Sequence, residues 1–122
     1  WFDILENEAY RKYHIGAEQA LEAYKNGAFI IDVRDEFKYG EAHIRGCMHI
    51  PLEYIESTLT TVIPDRFAKI IFYSDPSDMG ARAQKALEKA LMYGYKDVHN
   101  LGSINDWPYD KVSGIEGSFF DM

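Results

Sequence analysis

Apolar residues along the chain change period several times, and each change marks an element. Ala17, Ala20, Leu21 and Tyr24 recur at i, i+3, i+4 and i+7, which predicts a helix closed by Gly27. Phe29–Val33 is a short apolar run without helical spacing and reads as a buried strand. Met48-His49-Ile50 predicts a second, very short strand stopped by Pro51. Leu52, Ile55, Leu59 and Val62 form a helical stripe that ends at Pro64. Lys69–Tyr73 is the strongest strand signal, β-branched and aromatic. Ala83, Ala86, Leu87, Ala90 and Leu91 predict the clearest helix, with Gly94 as its C-cap. Val98–Leu101 reads as a last strand. Before all of these, Asp3 and Glu6 have capping-box spacing for a short helix through about Tyr10.

Short apolar strands alternating with helices predict an α/β fold with a parallel sheet covered on both faces. Ligands of such folds sit beyond the carboxyl ends of the strands. The informative loops are therefore those after Val33, Tyr73 and Leu101.

Composition narrows the picture. The 122 residues, 47% of them hydrophobic, suffice for one domain with its own core, taken here as residues 1–122. Thirteen Lys and Arg against 20 Asp and Glu give a net charge of −7, which disfavours nucleic acid and anionic lipid as partners. No apolar run approaches the roughly 18 residues of a membrane span. With Cys47 as the one cysteine, no intrachain disulfide can form, and a cytoplasmic location is expected. The chain opens on Trp1-Phe2 rather than Met, as an internal piece of a longer chain would, or one whose leader has been removed.

Three stretches carry a family resemblance. Ile30-Ile31-Asp32-Val33-Arg34-Asp35-Glu36-Phe37 and Glu41-Ala42-His43-Ile44-Arg45-Gly46-Cys47-Met48-His49-Ile50-Pro51-Leu52 resemble the paired signatures of a rhodanese domain. Gly94–Trp107 resembles the G-F-x-x-V-x-x-L-x-G-G-x-x-x-W ending of the same family. Order and spacing hold over roughly residues 13–110, and three linked motifs are far more specific than one. The resemblance implies a three-layer α/β/α fold, with a central parallel sheet of about five short strands and helices on both faces. It implies sulfur transfer as the ancestral chemistry, with no cofactor.

An active member of that family carries a cysteine directly after the Lys69–Tyr73 strand, in a loop of form C-x-x-G-x-R-S. The cysteine becomes a persulfide, stabilised by loop N–H groups, the helix N-terminus and the arginine. Here the loop reads Ser74-Asp75-Pro76-Ser77-Asp78-Met79. Aligned without a gap, Ser74 takes the nucleophile position, Ser77 that of the glycine and Met79 that of the arginine. A serine hydroxyl carries no persulfide. Pro76 removes one N–H, and Met79 brings no positive charge. Asp75 and Asp78 add negative charge where an anionic donor would dock. Asp78, with Asp75 second, is expected to accept the N–H groups of a helix starting near Met79 and so fill the anion slot with the chain's own carboxylate.

Other residues have both a chemical and a plain reading. Ser74 as a hydrolase nucleophile needs a base, and none of His14, His43, His49 and His99 is placed for it by sequence. The resemblance gives His43 a structural role in ordering the loop before the next strand. Asp32 and Arg34 read as a polar pair fixing a strand end, with Arg34 also a candidate pocket residue. Asp75 and Asp78 are too few for a metal site, so no metal is expected. Cys47, placed before a strand, is expected to be a buried thiol at the end of the sheet opposite the crevice. Trp1-Phe2 and Ser118-Phe119-Phe120 suggest a homodimer if both contribute to a surface.

The sequence therefore describes a rhodanese-like domain that has lost sulfur transfer and binds an unidentified protein partner. Two rivals stand beside it. One is residual sulfur transfer through Cys47 or a partner's thiol. The other is a phosphatase-like hydrolase, which would need both the missing cysteine and the missing arginine.

Overall fold

A computed structural model describes residues 8–115 of the chain. The proposed Asp3/Glu6 capping box and both aromatic ends lie outside the described residues. The order is α1 (Glu8–Tyr13), α2 (Ala17–Lys25), β1 (Phe29–Asp32), α3 (Glu36–Glu41), β2 (His43–Ile44), β3 (Met48–His49), α4 (Ile55–Val62), β4 (Lys69–Ser74), α5 (Ala81–Met92), β5 (Asp97–Ser103) and β6 (Lys111–Val112). Single 3-10 turns at Leu52–Tyr54, Pro76–Asp78 and Ile104–Asp106 precede α4, precede α5 and follow β5.

Four strands make one parallel sheet in the order β3-β1-β4-β5, one fewer than the expected five or so. The remaining candidate, β2, pairs antiparallel with β6 in a separate ladder, His43 beside Val112 and Ile44 beside Lys111. The jumps in strand order require the crossovers that α4 and α5 provide. The expected strands at 29–33 and 69–73 are neighbours, with Ile31 beside Phe72 and Asp32 beside Tyr73.

Alternation along the strands sorts side chains into two cores. Ile31, Ile70 and Phe72 face α4 and α5, packing with Ile55, Leu59, Ala83, Leu87 and Ala90. Ile30, Ile71 and Tyr73 face the other way, packing with Ala20, Leu21, Ile44 and Trp107. This is the three-layer arrangement. Residues 14 and 15 follow the outer side of β5: His14 forms a parallel bridge with Asn100, and the Ile15 N–H donates to the Asn100 carbonyl at 3.0 Å. Between Phe72 and Tyr73 the β4–β5 register slips by one residue, so that Tyr73 faces Gly102 and Ser74 faces Ser103.

Candidate functional site

The carboxyl ends of β1 and β4 form one polar cluster. Asp32 is fully buried and accepts four groups. The Arg34 backbone N–H donates at 2.9 Å, Arg34 Nε at 3.0 Å and Nη2 at 2.7 Å, and the Tyr73 hydroxyl at 2.6 Å. Arg34 Nη2 also donates to the Ala42 carbonyl at 2.6 Å. Burial works against the guanidinium charge, but the hydrogen bonds and charge of Asp32 outweigh it and hold Arg34 protonated. Burial and the neighbouring Asp32 push the Tyr73 hydroxyl well above its ordinary range. The ion pair therefore carries a bent chain out of β1, and Asp35 then caps α3 by accepting from the Lys38 N–H at 2.8 Å.

The loop after β4 folds on itself. Ser74 is fully buried. Its hydroxyl donates to Asp78 Oδ1 at 2.8 Å and accepts the Ala83 N–H at 3.4 Å. Asp75 accepts the Ser77 N–H at 3.1 Å and stands 3.6 Å from Arg34 Nη1. Burial pushes the Asp75 carboxyl up, but the Ser77 hydroxyl and N–H, with the Lys38 and Arg34 charges, hold it below its ordinary value. The N–H groups of Asp78 and Met79 donate to the carbonyls of Asp75 and Pro76 at 3.2 and 3.3 Å. The Gly80 N–H donates to Asp78 Oδ1 at 2.9 Å. Every N–H from Ser77 to Gly80 is thus committed inside the loop, and Pro76 has none.

The expected helix start near Met79 is corrected. Met79 (φ 54°) and Gly80 (φ 88°) are both left-handed, and α5 begins at Ala81 with Gly80 at its N-cap. Asp78 therefore caps the left-handed step, through Gly80, rather than the first helical turn. Glycine is required at 80, because a Cβ there would lie 2.9 Å from the Gly102 Cα. Buried Asn100 ties the same point, donating to the Gly80 carbonyl at 3.2 Å and to Gln84 Oε1 at 3.1 Å while accepting the Gly102 N–H at 2.8 Å.

The crevice over these ends is a cleft of about 160 Å³ lined by Arg34, Asp35, Lys38, Asp75, Ser77, Asp78 and Arg82. It is smaller than the usual small-molecule site. Three cations meet three carboxylates, so the two loop aspartates are offset rather than left as a bare negative patch. Met79 does not line the cleft and is exposed. Lys38 and Arg82 were not singled out from the sequence. Lys38 could have been found as the fourth residue after Arg34 on the turn into α3, and Arg82 as the base that closely follows the loop.

Two histidines and Cys47 lie around the cluster, and the other two histidines lie on β5 or along its edge, away from it. His43 and His49 stack on opposite sides of Tyr39, with centroid distances of 3.8 and 4.2 Å. His43 Nδ1 bonds the Tyr39 carbonyl, and His49 Nε2 bonds that of Arg34. His99 pairs with Asp97 at 2.6 Å, and His14 lies on the β5 edge. The expected position of Cys47 at the far end of the sheet is corrected. β3 has two residues and joins β1 at Ile31 and Asp32, near the carboxyl end. Cys47 Sγ consequently lies 3.6 Å from the Tyr73 hydroxyl. Burial, and then the Asp32 charge, push its thiol up to about 12. Among the described residues, no three His, Cys, Asp or Glu side chains converge as a metal would need.

A parallel sheet with helices on both faces, and a helix N-terminus approached by a tight loop at the carboxyl end of its central strand, define the class. The rhodanese-like domain model matches residues 16–109, and the chain belongs to that family. It is 30% identical over 84 residues to the thiosulfate sulfurtransferase PspE of Escherichia coli (strain K12), covering 69% of this chain and 78% of that one. It is 29% identical over 105 residues to the thiosulfate sulfurtransferase GlpE of Pseudomonas aeruginosa (strain LESB58), covering 82% and 91%. A solved E. coli rhodanese with anions superposes with a TM-score of 0.67 at 30% identity, covering 72% of this chain and all of that one. A rhodanese-related protein of Thermoplasma volcanium shares the fold, with a TM-score of 0.69 at 24% identity over 85% and 99% of the two chains.

Proposed function

We propose that this rhodanese-like domain does not transfer sulfur and acts as a binding or regulatory module for a protein partner. One observation carries the reading. The loop that would cradle an anion spends its N–H groups, Ser77 to Gly80, on its own oxygens, and the Ser74 hydroxyl is held beneath Asp78. An external anion would have to displace contacts held at high effective concentration. The position of a persulfide-forming thiol carries a hydroxyl instead. A protein partner fits a chain of net charge −7 better than nucleic acid or an anionic membrane. The reading needs no metal or cofactor.

The test is cyanide-dependent sulfur transfer from thiosulfate. The unmodified protein and Ser74→Cys alone are expected to give no turnover above a protein-free control. The single change sets a thiol beside Asp78 and supplies no arginine. Recovery is expected to need Ser74→Cys, Asp78→Gly and Met79→Arg together. Robust turnover by the unmodified protein, as its curated relatives' names suggest for them, would overturn the reading.

A further inference from the structure

We propose that the outer face of α3 is a docking groove for a partner segment carrying a bulky apolar anchor flanked by lysines or arginines. The proposal rests on the binding-module reading and names the partner's chemistry. Glu36, Phe37, Gly40 and Glu41 share one face of the short helix at i, i+1, i+4 and i+5, while Tyr39 turns into the protein. Phe37 is 72% exposed, far more than a ring of that size needs to be on a helix with a buried side. Ile115, 39% exposed, forms the opposite wall. Glu36, Phe37, Gly40, Glu41 and Ile115 line a shallow, open groove of about 420 Å³.

The groove is built by the backbone. The Gly114 N–H donates to the Gly40 carbonyl at 2.8 Å, bringing the later chain against the helix. A Cβ at position 40 would sit 3.0 Å from Ile115 Cγ2, so a side chain there would crowd the wall and fill the floor. The result is an apolar floor between Phe37 and Ile115 with a rim of two exposed carboxylates and, among the described residues, no lining cation.

Charge selects the occupant. A second copy of this chain meeting the groove symmetrically would set Glu36 and Glu41 against themselves, and each copy carries −7. Nucleic acid and anionic lipid are repelled for the same reason. A basic segment is attracted, and one large apolar side chain fills the floor. The groove adjoins the cleft, since Asp35 and Lys38 of the same turn and helix line the latter.

The test is a 15N-resolved NMR titration with the synthetic peptide Lys-Lys-Leu-Phe-Lys-Lys, capped at both ends, and with its twin bearing glutamates for lysines. Shifts are expected at Glu36–Glu41 and Ile115 with the basic peptide and not with the acidic one. Phe37→Ser is expected to weaken binding about tenfold, and the Glu36→Gln/Glu41→Gln pair about threefold to tenfold. Phe67→Ser, an equally exposed ring elsewhere, is expected to leave binding unchanged. Because Phe37 is exposed, its variant keeps the fold, which circular dichroism checks. Diffuse shifts insensitive to Phe37→Ser, equal binding of the acidic peptide, or a concentration-dependent dimer abolished by Phe37→Ser would each overturn the proposal. The sulfur-transfer assay separates the two ideas. Silence in both experiments sinks the groove alone, whereas turnover by the unmodified protein sinks the binding-module reading whatever the peptide does.

Discussion

The hydroxyl of Ser74 donates to the carboxylate of Asp78 at 2.8 Å, closing a five-residue loop over the end of β4. The same carboxylate oxygen receives the Gly80 N–H, and the same hydroxyl receives the Ala83 N–H. One pair, a buried serine under a half-buried aspartate, therefore joins a strand end, a left-handed step and a helix start.

Ser74→Ala removes both contacts of the hydroxyl and is expected to cost about 1–2 kcal/mol. Asp78→Ala is expected to cost a similar amount. In urea unfolding, the double variant should show a coupling of about 0.5–3 kcal/mol. Strict additivity would show that the pair does not organise the loop.

Asp32 predicts the largest effect. Arg34→Ala leaves a fully buried carboxylate without its counter-ion and is expected to cost about 3–5 kcal/mol. Tyr73→Phe removes one hydrogen bond to that charge, about 1.5–3 kcal/mol. Urea midpoints should rank unmodified, Tyr73→Phe and Arg34→Ala in descending order.

Cys47 is half-buried and its thiol is raised to about 12. Alkylation by iodoacetamide should be slow in native protein. Its rate should keep climbing about tenfold per pH unit from 8 to 10, where an ordinary thiol begins to level off near 8.5. A plateau near pH 9, or rapid stoichiometric reaction at pH 7.5, would contradict this environment.

Asp75 sets an acid limit. Its folded pKa lies below the ordinary value of 3.8, so the unfolded chain takes up its proton first as pH falls. Its stabilisation is complete above 3.8 and is lost as pH drops through the lower folded value. Asp75→Asn should therefore be less stable than the unmodified protein at pH 7, and the gap should shrink below pH 3.8. A gap that widens in acid would reverse the sign.

Met79 sits at φ 54°, a conformation that costs a residue with a Cβ about 1–2 kcal/mol, and it is exposed. Met79→Gly relieves that cost at the expense of chain entropy. It should leave stability unchanged or raise it by up to about 1 kcal/mol in thermal unfolding.

Periodicity made β1, β4, α2 and α5 legible, because each buries a full stripe or run. The loop motif and its departures were equally plain at Ser74 and Met79. Helix α3 was not, because among its six residues only Tyr39 is buried and Phe37 points outward, so no stripe exists. β2 and β6 are two residues each and draw their pairing from distant chain, which no local pattern records. The helix start was misplaced because two successive left-handed residues, one of them a methionine, carry no sequence signal beyond Gly80. Cys47 was misplaced because the length of β3, and hence its register on β1, depends on tertiary packing.

The two borders of the parallel sheet have a consequence for how copies of this protein behave in crowded solution. On one side β3 offers only Met48 and His49, too short a row of open amide groups to template a further strand. On the other, the backbone at residues 14 and 15 already occupies the middle of β5 at Asn100. Fibrillar stacking and recognition by strand addition both need a long open border. Among the described residues neither margin offers a long uninterrupted amide row, which disfavours contact with other molecules through the amide ladder and leaves it to side chains.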